Sequence, residues 1–327
     1  MKAYIVKSAG GPEVLRLEEV PNPVAGEGEV RIAVKAIGIN RLDLYVRSGA
    51  WGRIDQPRQL GIEAVGEVIE DKTGTFAPGT RVATMMGGLM LERPGTYAEQ
   101  IVVSASHVVR LGDAALGWET LGSLPEAFLT VWAGFHKAIR PKAGEEILIR
   151  GAASSVGLAA TVYAKWLGLR VIATTRNAQK RQLLLEKGAD ECLIDDGRLR
   201  DLLVSPLRPG VDAALEIIGA STLRDTIQSV KHFGSLAILG LLGGREIERF
   251  DVYADLQNGV SVSYVSSEHI GSPYLPIKDF PLAHIAQAIA DEKMPSILDK
   301  VFTFDALAHA HEYAESNQSF GKIVVVL

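Results

Sequence analysis

The sequence predicts an α/β protein in which a β-rich domain precedes a doubly wound parallel-sheet domain, and three observations predict it. Up to about residue 121, short β-branched runs (EVRIAVKAIGI, EAVGEVIE, TRVATMM, EQIVVSASHVVRL) are punctuated by Gly and Pro, as in an antiparallel or barrel-like sheet. From about Pro125 helices and strands alternate, FLTVWAGFHKAI, EILIRGA, VGLAATVYAKWLG, RVIATT, AQKRQLLLEKG and ECLID, a βαβ rhythm that continues through VDAALEII and SLAILGLL. After about Ser261 the rhythm stops, and amphipathic helices alternate with two β-rich pieces, the last of which, GKIVVVL, is expected to return to the first domain. The domains are therefore drawn at 1–122, 123–261 and 262–327, with a parallel sheet of about six strands in the second.

Taken in order, the first domain needs no long helix. In the second, strand EILIR runs into Gly151-Ala152-Ala153-Ser154-Ser155-Val156-Gly157 and directly into an apolar helix, the strand–turn–helix context of a dinucleotide fingerprint in a Rossmann sheet. Small residues at 152 to 155 let backbone N–H groups approach a pyrophosphate, with Ala153, Ser154, Ser155 and Val156 as cofactor-binding candidates, and Gly157 lets helix and strand pack closely. About 20 residues further on, NAD-binding proteins place an acid for the ribose 2′-OH. Here Thr174-Thr175-Arg176-Asn177 has no carboxylate, and Arg176, with the Thr174 or Thr175 hydroxyl and Lys180 or Arg181 nearby, suits a 2′-phosphate instead. NADPH is thus expected over NADH. Gly240 to Gly244, including Leu241, should follow a sheet strand at its carboxyl end, where such folds bind ligands.

Composition narrows the partners. With 327 residues and 47% hydrophobic content the chain can bury a sizeable core, and a net charge of −5 argues against nucleic acid or an anionic membrane surface as partner. The single cysteine, Cys192, forms neither an internal disulfide nor a thiolate zinc site and is expected to be buried in a strand. No signal peptide or membrane-length apolar run is evident, so a cytoplasmic location is expected.

Local motifs add a resemblance covering essentially the whole chain. Asn40-Arg41-Leu42-Asp43-Leu44-Tyr45-Val46-Arg47-Ser48-Gly49, Gly61-Ile62-Glu63-Ala64-Val65-Gly66 and Gly95-Thr96-Tyr97-Ala98-Glu99 resemble the quinone oxidoreductase branch of the medium-chain dehydrogenase/reductases. The resemblance implies a GroES-like first domain and a reductase that uses NADPH. Zinc-dependent relatives carry a cysteine where Asn40 stands and a histidine where Ile62 stands, so no metal is expected: Glu63 alone cannot supply the three protein ligands of a catalytic zinc. His309 and His311 lie two apart on a helix, point in different directions, and read as ordinary helix residues.

Without a Lewis acid, reduction of an activated acceptor is easier than alcohol oxidation, and hydrogen-bond donors suffice to hold the developing negative charge. The resemblance places Asn40 and Tyr45 beside the nicotinamide, with Trp51 as a further wall residue. Asn40 would orient the nicotinamide or a substrate carbonyl, Tyr45 donate to the oxyanion, and Trp51 stack on a planar acceptor. It also implies cofactor contacts for Thr130, Asn317 and Lys322. Asp43 and Arg47, four apart, can pair on a short helix and read as structural. Asp195-Asp196 stands where relatives commonly have Asn-Tyr near the adenine. The expected activity is quinone reduction, with alkenal or enone reduction next and a non-catalytic NADPH sensor third. The family further suggests a homodimer paired through edge strands near SLAILGLLGG and VSVSYVSS.

Overall fold

The computed structural model describes residues 1–327. The chain divides into two compact units, Met1–Glu126 with Ser267–Leu327, and Ala127–Ser266. These boundaries fall four and five residues beyond the 122 and 261 read from the sequence.

The N-terminal stretch carries β1 (Lys2–Val6), β2 (Arg16–Glu19), β3 (Glu29–Gly38), α1 (Arg41–Ser48), β4 (Arg58–Gln59), β5 (Glu63–Asp71), β6 (Arg81–Met85), β7 (Gln100–Ser104), β8 (Val108–Arg110) and α2 (Trp118–Leu121). The middle carries α3 (Pro125–Ala133), β9 (Glu146–Arg150), α4 (Ser155–Trp166), β10 (Arg170–Thr175), α5 (Arg181–Glu186), β11 (Glu191–Ile194) and α6 (Arg200–Leu203). A short ribbon, β12 (Val204–Ser205) and β13 (Arg208–Pro209), then leads to β14 (Val211–Glu216), α7 (Leu223–Ser229), β15 (Val230–Ile238), α8 (Val252–Asp255) and β16 (Ser261–Tyr264). The tail adds α9 (Leu282–Ala290), β17 (Leu298–Thr303), α10 (Leu307–Glu315) and β18 (Lys322–Val326).

In the first unit, seven strands form one sheet in the order β17-β18-β3-β5-β6-β8, with β7 also on β3. Strand β3 alternates, burying Val30, Ile32, Val34 and Ala36, because successive side chains face opposite sides of the sheet. The last strand does return: β18 pairs antiparallel with β3, placing Val324 opposite Gly38. That pairing brings the start of β18 beside the end of β3.

In the second unit, six strands in the order β11-β10-β9-β14-β15-β16 are all parallel, which is 3-2-1-4-5-6 in the unit's own count. Its central strands are apolar runs, Ile147, Leu148 and Ile149 being fully buried, because helices cover both faces of such a sheet. Gly157 lies where any Cβ would stand 2.3 Å from the Gly151 carbonyl oxygen, so only glycine lets α4 leave β9 this tightly. One expectation is corrected here: SLAILGLL is not an edge strand, since β15 lies between β14 and β16. The edge on that side of the sheet is β16, where Val262 and Tyr264 are exposed.

Candidate active site

The fingerprint turn sits at the carboxyl end of β9. Gly151 is left-handed (φ 86°), and Ser154 caps α4, accepting from the Gly157 N–H at 3.1 Å and donating to the Gly151 carbonyl at 2.9 Å. Ala153, Ser154, Ser155 and Val156 are all half-buried at the start of a 12-residue helix, where unpaired N–H groups and the helix dipole favour an anion. Gly240 and Leu241 follow β15 at its carboxyl end, and the Gly243 N–H donates to the Ile218 carbonyl at 2.6 Å, joining two loops on that edge.

At the end of β10 the structure separates residues that had been read together. Thr174 is fully buried and its hydroxyl accepts from the Gly151 N–H at 3.2 Å, so it shapes the fingerprint turn and is not open to a 2′-phosphate. Thr175 spends its hydroxyl on Asn177, accepting from the N–H at 3.1 Å. Arg176 is exposed and unpaired, as a residue awaiting an anion would be; Lys180 is half-buried one helical turn on.

Beneath this edge lies a residue that the sequence reading missed. Arg150, the last residue of β9, is fully buried; its Nε and Nη2 donate to the two Asp195 oxygens at 2.8 and 2.7 Å. Its Nη1 donates to Asp225 at 2.6 Å, to the Thr226 hydroxyl at 2.9 Å and to the Thr222 carbonyl at 3.1 Å. The Asp195 that departs from the relatives' asparagine is therefore the second half of a bidentate buried ion pair. Thr226 also donates to buried Glu216, whose carboxyl burial pushes above its usual range against that bond. An arginine ending an apolar strand was the available signal, because a buried guanidinium requires a carboxylate.

In the first unit, four chain segments converge: the end of β3, the residue before α1, and the first residues of β5 and β18. Lys322 is fully buried, its ammonium 2.5 Å from Glu63 Oε1 and 2.6 Å from Asn40 Oδ1. The Asn40 amide donates to Glu63 Oε1 at 2.8 Å and to the Gly38 carbonyl at 3.2 Å, and Glu63 Oε2 accepts from the Glu126 N–H at 2.8 Å. Two expectations change. Lys322, expected at a cofactor, instead serves as an internal cation, and Asn40 has both N–H bonds committed inside the unit. These residues do not fit a zinc ion: the one carboxylate is paired with an ammonium, Ile62 is buried and apolar, and no three His, Cys, Asp or Glu side chains converge anywhere in the chain.

Helix α1 is seated by the same region. Buried Asp43 reaches back to the Asn40 N–H at 2.8 Å, as a capping acid does. Burial pushes its carboxyl up to about 7, against the Asn40 N–H and the Lys322 charge. Asp43 and Arg47 do not pair with each other, contrary to expectation; Arg47 is buried on Glu315, the Gly10 carbonyl and His311. His311 is likewise no ordinary helix residue, although it does point away from exposed His309. Because Arg47 can only donate, His311 Nδ1 accepts from it at 3.2 Å and Nε2–H donates to the Tyr97 hydroxyl at 2.9 Å. Burial, helped by Arg47, holds this imidazole neutral, its pKa lowered to about 3.

The other expected residues lie as follows. Tyr45 is half-buried on α1 and its hydroxyl has no partner within the chain. Trp51 is 47% exposed on the turn after that helix, its backbone N–H donating to the Tyr45 backbone carbonyl at 3.1 Å. Asn317 is left-handed (φ 58°) and accepts from Arg41 at 2.5 Å, so it ties the tail to the first residue of α1. Thr130 is buried on α3. Cys192 is buried in β11, and burial raises its thiol to about 11.

A six-stranded parallel sheet with a glycine turn entering its first helix is the architecture of a dinucleotide-binding unit. The comparisons agree. A family model described as zinc-binding dehydrogenase matches residues 155–276, and one described as alcohol dehydrogenase GroES-like domain matches residues 26–113. A mouse quinone oxidoreductase is 31% identical over 281 residues, 82% of this chain and 81% of that protein. Among solved structures, a mycobacterial protein complexed with NADPH (29% identity, TM-score 0.85) and Escherichia coli quinone oxidoreductase complexed with NADPH (26%, TM-score 0.85) each match over 100% of both chains. The chain belongs to the medium-chain dehydrogenase/reductase superfamily, in its quinone oxidoreductase-like branch. It is an oxidoreductase of that type.

Proposed function

We propose that this chain reduces quinones with NADPH, α,β-unsaturated aldehydes and ketones being the alternative acceptors. The observation carrying the cofactor choice is Arg176: an exposed, unpaired guanidinium at the end of the second sheet strand, where NAD-binding folds place an acid. The NADPH complexes of similar proteins support the same reading.

In this reading, backbone N–H groups of Ala153, Ser155 and Val156 hold the pyrophosphate, Arg176 and Lys180 the 2′-phosphate, and Thr130, Gly240 and Leu241 the nicotinamide half. The bound cofactor supplies a hydride. Reduction of a quinone by hydride also consumes one proton, and the oxygen that gains charge needs a donor; Tyr45 is the residue of the expected set with an uncommitted hydroxyl. Trp51 offers an exposed indole face for a planar acceptor. No step passes through a metal. The edge strand β16, with exposed Val262 and Tyr264, also supports a homodimer joined through that edge, which a monomeric mass in solution would reject.

The test is steady-state oxidation of NADPH and NADH against quinones, short alkenals and saturated alcohols. Quinone turnover with NADPH preferred is expected; NADH preference would refute the Arg176 argument, and enone turnover alone would select the alternative. Arg176→Ala should raise the NADPH KM about tenfold, the worth of one exposed charge-assisted hydrogen bond, and leave the NADH KM unchanged.

A further inference from the structure

Strand β7 pairs with β3 alone, so one of its edges is left without a partner strand. The register says which groups that edge shows. The Val34 N–H donates to the Glu99 carbonyl and the Ala105 N–H to the Gly28 carbonyl, both at 3.0 Å, so residues 101 and 103 between them are the ones hydrogen-bonded to β3. Backbone groups of an antiparallel strand alternate in direction. The N–H and C=O of Val102, which stands opposite Arg31, therefore point away from β3, and neither has a partner within the chain.

A cavity of about 430 Å³ lies along this edge, within the ~300–1,000 Å³ typical of ligand sites. Gln100, Ile101 and Val102 all line it; successive side chains of a strand face opposite sides, so three consecutive lining residues put the cavity beside β7 and not on one face of it. Pro21 and Pro23 also line it, and having no N–H they offer the Val102 carbonyl no donor. Glu29 and Arg93 pair with each other there at 3.4 Å, so the lining side chains carry no net charge. Every lining residue lies within Met1–Glu126, and none belongs to the cofactor and acceptor residues named above.

Two further observations point to an occupant. Gln100 makes no side-chain hydrogen bond, and its Oε1 is buried without a partner, a state that folded proteins otherwise avoid. The edge itself, Gln-Ile-Val-Val-Ser, has none of the charges, prolines or bulges that blunt an open strand edge.

We propose that the β7 edge binds a short, uncharged, extended peptide, which adds to it as a further strand inside this cavity. A residue of extended chain carries an N–H and a C=O on one side, the complement of the pair on Val102, while apolar side chains pack on Pro21 and Pro23 and the unpaired Gln100 amide sets the register. This site stands independently of the NADPH reading.

The test titrates the full chain with acetyl-Val-Thr-Val-N-methylamide, and with the same peptide N-methylated at its central residue, by calorimetry and by the amide resonance of Val102. Saturable binding that moves the Val102 resonance is expected, with N-methylation weakening it about tenfold, the effect of one lost hydrogen bond whose partner stays unpaired. Val102→Pro removes the outward N–H at a position where an edge strand tolerates proline, and should weaken binding by a similar factor. If that variant does not fold, the N-methylated peptide asks the same question from the ligand side. Gln100→Leu removes the orphaned acceptor, so it should keep or raise the thermal midpoint while weakening the peptide severalfold. No saturable binding, or binding indifferent to N-methylation, overturns the proposal. A Gln100→Leu protein with a lowered midpoint and unchanged binding makes Gln100 a packing residue and overturns its role. Exchange protection of the Val102 amide in the free protein that disappears on dilution gives the edge to a second copy of the chain, and overturns the proposal likewise.

Discussion

The fully buried cations are Arg47 and Lys322 in the first unit and Arg150 in the second, and Arg150 and Lys322 are used differently. Arg150 spends Nε, Nη1 and Nη2 on five contacts that join β9 to the end of β11 and to α7, all within the unit Ala127–Ser266. Lys322 makes two contacts, one of them to a residue whose polarity it sets. A planar guanidinium with several fixed donors suits a strut that must hold strand ends in one geometry, whereas a compact ammonium suits a point charge beside an amide. Burial alone therefore does not tell what a cation holds in place; the identity of its partners does.

The largest expected effect breaks the strut. Arg150→Met leaves Asp195 and Asp225 without their cation and should cost about 3–5 kcal/mol in chemical denaturation; a loss under 1 kcal/mol would show that the pair is not structural. Gly38→Ala strikes the other centre by overpacking, and about 1–3 kcal/mol is expected from the contacts that its Cβ would make with Glu63 and Lys322. Asp195→Asn should cost less than Arg150→Met, about 1–3 kcal/mol, because the amide keeps one of the two acceptors although its NH2 then faces the other Arg150 N–H. Equal losses for the two would mean that Arg150 acts through packing.

The smallest effect at neutral pH comes from Asp43→Asn, and it sharpens the comparison through pH. Asp43, raised to about 7 by burial, contributes stability that is present below about 4 and lost as pH rises to 7; His311, lowered to about 3, contributes stability that is present above about 6.5 and lost as pH falls. The two slopes oppose one another between about pH 4 and 6.5. Removing Asp43 leaves the His311 slope alone, so the variant should gain about 1.4 kcal/mol per pH unit relative to wild type as pH rises through that window. Parallel stability curves for variant and wild type would reject the raised carboxyl.

Much of the fold was legible because its signals are local. The βαβ rhythm, the glycine turn entering an apolar helix, and the return of GKIVVVL each sit within a few consecutive residues, where backbone sterics and strand alternation act. The misreadings share one cause. Thr174 or Thr175 was read toward a 2′-phosphate, yet in β10 the Thr174 hydroxyl meets Gly151, 23 residues earlier in the chain. SLAILGLL was read as an edge, but whether a strand is flanked depends on β16, which follows it. His311 looked ordinary on its own helix because Arg47 and Tyr97 come from 264 and 214 residues away.

By itself the sequence determined the order of the elements, the fingerprint and its missing acid, and the absence of the cysteine and histidine that zinc relatives carry at 40 and 62. Only the tertiary structure decided which polar groups remain open to a ligand. Asn40 and Lys322 are 282 residues apart, and neither the committed N–H bonds of the first nor the buried charge of the second follows from its own neighbours in the chain. A side chain's type sets what hydrogen bonds it can make; the partners that folding brings to it set which of them are left.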